Sequence, residues 1–335
     1  MSTEENPVKS FLGDVDTSIK NSEFADWYPI SKKEFRDTVR SPWIWVLSFI
    51  FIVLFALPAL LGLYFNVGQQ FAEAGASLTT DAYVRFALPI AAPLLPAVAI
   101  VIGYAAIARE SERGSLKILL SLPYTRGELL AGKFVGRSAI TLIPVTVGLL
   151  TALLVLLPSK IEIAWESFLL FALATMAYGV VFTAFAIGLS AAMKTARRTM
   201  ATSLGIYVYL QVFWSNLGSG LSNLLSDHVM DISQVTQLHI ELFVSLLSPI
   251  AAYRTLVQEV LQGSPIRSRI LLTSSPQVAC EEMLGGTLEL TQTGAECTGA
   301  VLPPQYGTAA VIGYLLLWLV VPLVAGYYVF EGKDL

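Results

Sequence analysis

The sequence predicts an all-α polytopic membrane protein with six transmembrane helices. Three observations predict it. The 335-residue chain is 55% hydrophobic and only 14% charged, with positive mean hydropathy, whereas a soluble domain carries about 25% charged residues. The missing charge is concentrated in uncharged runs of about 20 residues, the length that crosses a bilayer core. Lys and Arg alternate sharply between successive loops, as membrane orientation demands. The net charge of −4 says little, because the two signs fall on opposite sides of a membrane.

Residues 1–30 are polar with mixed charge and read as a cytoplasmic tail. The first 40 residues contain no apolar stretch of the kind that forms a cleavable signal peptide. Ser31-Lys32-Lys33-Glu34 then fits a capping box, in which the serine takes a free N–H and the glutamate reaches back. Glu34, Phe35, Arg36 and Val39 belong to a short basic amphipathic helix, expected to lie along the membrane surface as an elbow. Ser41-Pro42 places a proline at the start of the next helix. Trp43 and Trp45 sit where an aromatic belt is expected.

The first span is predicted at 43–65 and the second at 86–108. Pro89, Pro93 and Pro96 remove backbone donors from the second. The carbonyls so freed need protein or water partners, so this half-helix is expected to face a neighbour or a cavity. The third span is predicted at 138–157, after a second capping-box pattern at Thr125-Arg126-Gly127-Glu128. The fourth, fifth and sixth follow at 168–193, 199–217 and 308–330. With the N-terminus cytoplasmic, sixteen of the 21 Lys and Arg fall inside and five outside. Both termini are then cytoplasmic.

Segment 218–307 is therefore extracytoplasmic. Asp231 can cap a helix that carries Val235, Leu238, Leu242, Phe243, Leu246 and Leu247 at helical spacing. Pro249 breaks it, and a second piece carries Ala252, Tyr253, Leu256, Val257 and Val260. The uncharged core of this pair is too short to span; it is either re-entrant or interfacial, the alternative being a seventh span. Residues 263–307 form a polar cap or mobile loop. Cys280 and Cys297 lie within it. An oxidising exterior allows a disulfide worth up to about 3 kcal/mol for such a loop; two free thiols are the alternative. A metal site is not expected, since His228 and His239 are the only histidines.

The loop 109–137 carries six basic residues (Arg109, Arg113, Lys117, Arg126, Lys133, Arg137) against three acidic ones. Glu112-Arg113-Gly114-Ser115-Leu116-Lys117 opens a short amphipathic helix, expected over 111–122, that stops at Pro123. It either docks a partner or lies on lipid with its cations at phosphates. Several chemistries are absent. There is no Gly-x-x-x-x-Gly-Lys-Ser/Thr phosphate loop, no His-Glu-x-x-His zinc helix and no Gly-x-Ser-x-Gly elbow. No ionisable residue is expected deep in a span, where ion-coupled transporters keep theirs. A transporter built this way must draw its energy from a cytoplasmic partner. On the fifth span Ser203, Tyr207, Gln211, Trp214 and Asn216 either line a pathway or join helices through hydrogen bonds.

Glu112-Arg113-Gly114-Ser115-Leu116, Leu119-Leu120-Ser121-Leu122-Pro123, Arg126 and Gly132-Lys133 resemble the loop between the second and third spans of ABC-2 type permeases. These are the membrane subunits of ABC exporters. Glu34-Phe35 in the elbow, Ser248-Pro249 with Tyr253, and the ending Gly326-Tyr327-Tyr328-Val329-Phe330 with Asp334-Leu335 agree. The likeness covers residues 30–335. It is nearest to permeases with a separate ATPase chain, including those that help mature the copper sites of nitrous oxide reductase. The polar insert 263–307 departs from the family pattern.

The resemblance implies a plasma-membrane permease without enzymatic activity of its own. ATP and magnesium would be bound by a partner ATP-binding subunit. A second permease copy or paralogue would complete the pair, and lipid would surround it. An extracytoplasmic partner is a further possibility; no nucleic-acid partner is expected. The resemblance assigns ATPase docking to Glu112, Arg113, Gly114, Ser115, Leu116, Lys117 and Leu120, with Leu116 and Leu120 filling a groove on the partner. ATP-driven closure would push on this coupling helix and on the elbow. The competing expectation is the same motion passed to an extracytoplasmic partner without transport.

Overall fold

The computed structural model describes residues 27–64, 80–116, 124–158, 162–228, 233–291 and 294–333. Helix α1 (Tyr28–Val39) starts at Trp27 with Pro29 in its first turn and no side-chain cap. The capping box expected at Ser31 is therefore not formed. Proline fixes the helical φ three residues early, so Ser31 lies inside the helix and is buried. Phe35 stays exposed.

Helix α2 (Pro42–Tyr64) is apolar all round, as a membrane-embedded helix must be. It packs along α5 (Arg126–Leu156), where Gly148 lets the two backbones approach: a Cβ there would lie 2.7 Å from the Phe51 carbonyl. Helix α5 opens on the capping box at Thr125 and Glu128. It starts well before the predicted span, because its first turns carry Lys133 and Arg137, which a hydropathy window rejects.

Helix α3 (Thr80–Gly103) passes through all three prolines. Pro96 cannot donate to the Ala92 carbonyl four residues back; the Tyr178 hydroxyl donates to it instead, at 2.9 Å. Tyr207 donates to the next carbonyl, that of Pro93, at 2.6 Å. The expectation that this stretch faces protein is met by these two tyrosines. Helix α4 (Ala108–Arg113) follows after a turn and ends at Gly114, whose φ of +74° is left-handed. A single helix over 111–122 is thus interrupted at Gly114, a residue suited to that conformation. Residues 117–123 lie outside the described part.

Tyr178 sits at the middle of α6 (Trp165–Ala192). Helix α7 (Ala196–Val208) continues through a π-helical turn, Tyr209–Phe213, into α8 (Ser215–His228). Helices α9 (Gln234–Leu247) and α10 (Pro249–Gln262) meet at 97° across Ser248. Ser233 caps α9; Asp231 lies outside the described residues. Helix α11 (Pro265–Ile270), a hairpin of β1 (Thr287–Thr291) and β2 (Gly294–Thr298), and the final helix α12 (Thr308–Glu331) complete the chain.

Among the described residues, five helices are long and apolar enough to cross a membrane: α2, α3 with α4, α5, α6 and α12. The bent pair α9–α10 makes a sixth only if taken as one span. The predicted fifth span, in α7, is more polar than these and is interrupted by the π turn. The architecture is an all-α multi-pass membrane protein. Its main core joins α2, α3, α5, α6, α7 and α10 around Phe55, Leu95, Tyr178, Phe182 and Tyr253.

Within the insert 263–307, the described residues form short helices and the β1–β2 hairpin. Cys280 and Cys297 are joined by a disulfide, and Leu288 pairs with Cys297 in the hairpin register. Arg269, fully buried, contacts Glu259 at 2.8 Å and donates to the Tyr306 carbonyl at 3.0 Å. Polar composition left a cap or a mobile loop open; a small apolar cluster of Leu238, Ile270, Ala279 and Leu284 gives it the core of a cap.

Candidate functional site

At the basic end of the bundle three elements meet on one buried cation. The Lys133 ammonium, on α5, lies 2.8 Å from Glu34 of α1 and 2.7 Å from Glu110 of α4. Its side chain is 2% exposed. Arg137, one turn further along α5 and so on the same face, holds the other Glu34 oxygen at 2.8 Å. It also donates to the Ile102 carbonyl at the end of α3. Close approach makes this possible. A Cβ on Gly132 would lie 2.7 Å from the Trp27 carbonyl, and one on Gly136 would lie 2.9 Å from the Glu34 Cβ. Burial works to raise the Glu34 pKa, but Lys133 and Arg137 outweigh it and hold the carboxyl below its ordinary value. The reach-back to the helix start expected of Glu34 does not occur, because these two cations claim it.

The loop-entry helix α4 is fastened on two more sides. Ser190 of α6 accepts from the Ile107 and Ala108 N–H groups, both at 3.0 Å. Glu112 accepts from the Ala196 N–H at the start of α7, at 3.3 Å. Arg126 donates to the last carbonyls of α12, those of Phe330 and Glu331, and to that of Lys333 just beyond it. Lys333 in turn donates to the Ala191 and Met193 carbonyls at the end of α6. Cations at helix C-termini satisfy orphan carbonyls and oppose the macrodipole.

The expected docking residues divide. Glu112, Arg113 and Gly114 are exposed and Ser115 is half-buried. Leu116, expected to fill a groove on a partner, is instead buried in this chain among Ile30, Ile107, Leu129, Leu130 and Phe330. Its apolar face is used internally. Lys117 and Leu120 lie outside the described residues. On α1, Phe35 and Arg36 are exposed and Val39 is half-buried.

The candidate pathway residues also divide. Trp214 donates from its indole to the Val244 carbonyl at 2.8 Å, and Tyr207 is tied to Pro93; both join helices. Asn216 is exposed. Ser203 and Gln211 each keep a buried oxygen without a hydrogen-bond partner. Tyr253 of α10 was expected only as part of a surface or re-entrant piece. It is fully buried, stacks on Tyr178 with centroids 4.2 Å apart, and shares a 2.8 Å hydrogen bond with Thr175. The Glu34–Lys133–Glu110 junction was not foreseen. Its signal in the sequence is faint: two glycines and two cations, each pair four apart, at the start of one helix. Among the described residues, no three His, Cys, Asp or Glu side chains cluster as metal ligands.

Comparison with known proteins places this architecture. The probable ABC transporter permease protein NosY of Stutzerimonas stutzeri is 32% identical over 189 residues, 55% of this chain and 66% of that one. Its namesake from Pseudomonas aeruginosa is 30% identical over 191 residues, 54% and 66% of the two chains. The chain thus matches slightly less than two thirds of each relative's length. The sequence pattern of the family described as ABC-2 family transporter protein matches residues 28–335. With that match running over nearly the whole length, the chain belongs to the ABC-2 family of transporter proteins.

Proposed function

We propose that this chain is the permease subunit of an ATP-driven ABC exporter in the plasma membrane. Its basic end faces the cytoplasm and receives a separate ATP-binding subunit, and two permease chains pair to form the pathway. The relatives' names support the permease role. The observation that carries the mechanical part is the Lys133 junction, which ties the elbow helix, the entry of the coupling loop and α5 into one body. A push on the exposed Glu112–Arg113–Gly114 turn is then passed through α4 to α1 and α5 together. Through Glu112 it also reaches α7. Cytoplasmic placement of this end is supported by the sixteen cations counted there and on the tail.

Co-purification tests the docking site. Arg113 is exposed, so Arg113→Glu reverses a surface charge without disturbing the core. An ATPase subunit should co-purify with the intact chain and be lost with the variant. Retention by both would remove the loop from the docking interface, and absence from both would sink the transporter reading. A second reading has its own support in the disulfide-linked cap at the far end. There the same motion works on an extracytoplasmic partner without transport. ATPase activity stimulated by a translocated substrate favours the first reading; a partner held by the hairpin, with no such stimulation, favours the second.

A further inference from the structure

A charge that composition placed outside the bundle lies within it. Arg254 follows Tyr253 on α10. Tyr253 stacks on Tyr178 and bonds Thr175, and Tyr178 is the midpoint of α6, roughly 20 Å from either end at 1.5 Å per residue. The bent pair α9–α10 therefore carries an arginine to the middle depth of the helices. Its charge is felt by the hydroxyls of Tyr178, Tyr207 and Tyr253. Among the described residues no carboxylate pairs with it and none accepts a hydrogen bond from it, while the neighbouring Glu259 is taken by Arg269. It is only partly exposed, yet its nitrogens are not sealed in the protein. One turn before and one turn after Tyr207 stand Ser203 and Gln211, each with a buried oxygen that has no hydrogen-bond partner. The π turn begins two residues after Tyr207; such turns interrupt helices mostly at functional positions.

An unpaired arginine at this depth is costly and marks a functional position by default. Its five donors in a planar fork suit an oxyanion. We propose that Arg254 binds an oxyanion group of the transported substrate, with the Ser203–Tyr207–Gln211 face of α7 and its π turn supplying further hydrogen-bond partners. This rests on the transporter reading. The oxyanion is either part of a water-soluble substrate or a lipid headgroup phosphate.

Gln258, one turn along α10 and partly exposed, faces the same side as Arg254 and can report on its field. In Gln258→Cys protein the only other cysteines are bonded to each other. The measurement, in non-ionic detergent, is the rate of thiol modification by an anionic (sulfonatoethyl) and a cationic (trimethylammonioethyl) methanethiosulfonate. The anionic-to-cationic rate ratio should fall about tenfold when Arg254→Gln is added, which corresponds to about 1.4 kcal/mol, and should survive Arg254→Lys. Slowing of the anionic reagent by sodium sulfate at constant ionic strength assigns a soluble oxyanion. Slowing only by phosphatidylglycerol assigns a headgroup. A ratio unchanged by Arg254→Gln in protein that elutes as the parent does, or a thiol that neither reagent reaches, overturns the proposal. The rate assay needs no ATPase. Failure of the parent chain to retain one would therefore overturn the transporter reading separately.

Discussion

Replacing Lys133 by Met tests whether the buried junction couples the elbow to the loop. Lys133 is almost fully buried, whereas Glu34 and Glu110 side chains are 14% and 25% exposed. Removing one partner of a buried ion pair costs about 3–5 kcal/mol when the other charge is stranded. Here stranding is partial, since Glu34 keeps Arg137 and Glu110 relaxes toward water. Lys133→Met should therefore cost about 2 kcal/mol. Glu34→Gln should cost less, about 1 kcal/mol, because Lys133 keeps Glu110. If the groups act as one unit, the double variant should be more stable than the sum of the singles by about 1 kcal/mol. The assay is reversible unfolding of the purified protein in detergent for all four species, beside the amount of ATPase each retains. Strict additivity would refute the junction. Coupled stability with unchanged ATPase retention and coupling would refute its mechanical role and leave it a local staple.

Other expectations concern single positions. Gly188 on α6 and Gly326 on α12 are in backbone contact, and a Cβ on Gly188 would overlap the Pro322 carbonyl. Gly188→Ala should cost about 1–3 kcal/mol by forcing the helices apart, read as a lower unfolding temperature; no loss would mean that α12 moves freely against α6. Tyr178→Phe should cost about 1 kcal/mol, and almost nothing in a Pro96→Ala background, where the new N–H can satisfy Ala92; an equal cost in both backgrounds would refute the carbonyl-rescue argument. Glu34 has a lowered pKa, so its ionic contribution is fully present above the ordinary carboxylate range of about 4.3 and is lost as pH falls through the lower folded value. The stability gap between parent and Glu34→Gln should stay flat from neutral pH to about 5 and close below about 4; a gap that closes near neutral pH would place the dependence on another group.

What the sequence could and could not reveal follows from the range of each interaction. The helices were legible because apolar runs and prolines act within a few residues. Thr125-Arg126-Gly127-Glu128 forms the capping box that its spacing predicts. Ser31-Lys32-Lys33-Glu34 has the same spacing and does not. Pro29 starts the helix earlier, and Glu34 is claimed by Lys133, which is 99 residues away in the chain. Amphipathy showed that Leu116 must bury its side chain but not against what, and the structure supplies Ile30 and Phe330 from the two ends of the chain. The insert read as either a cap or a mobile loop because part of what holds it is distant in the chain: Arg269 with Tyr306 and with Glu259, whereas the Cys280–Cys297 bond was already an expectation of the sequence.

Arg254 is the sharpest case. Charge counting treats every arginine outside an apolar run as solvated, and α10 is too short to register as a span. The bend at Ser248 turns that short helix into the bundle, so a residue counted with the exterior loops stands beside the midpoint of α6. The sequence contained a warning in Ser248-Pro249-Ile250-Ala251-Ala252-Tyr253, a serine cap and proline opening an apolar turn directly before the arginine. A helix that starts this way needs no water at its first turn and can be inserted among other helices. A charge carried inward on such an element lies within a membrane protein's interior although no single span contains it. An inventory of spans free of ionisable residues is therefore weak evidence that the pathway itself is uncharged.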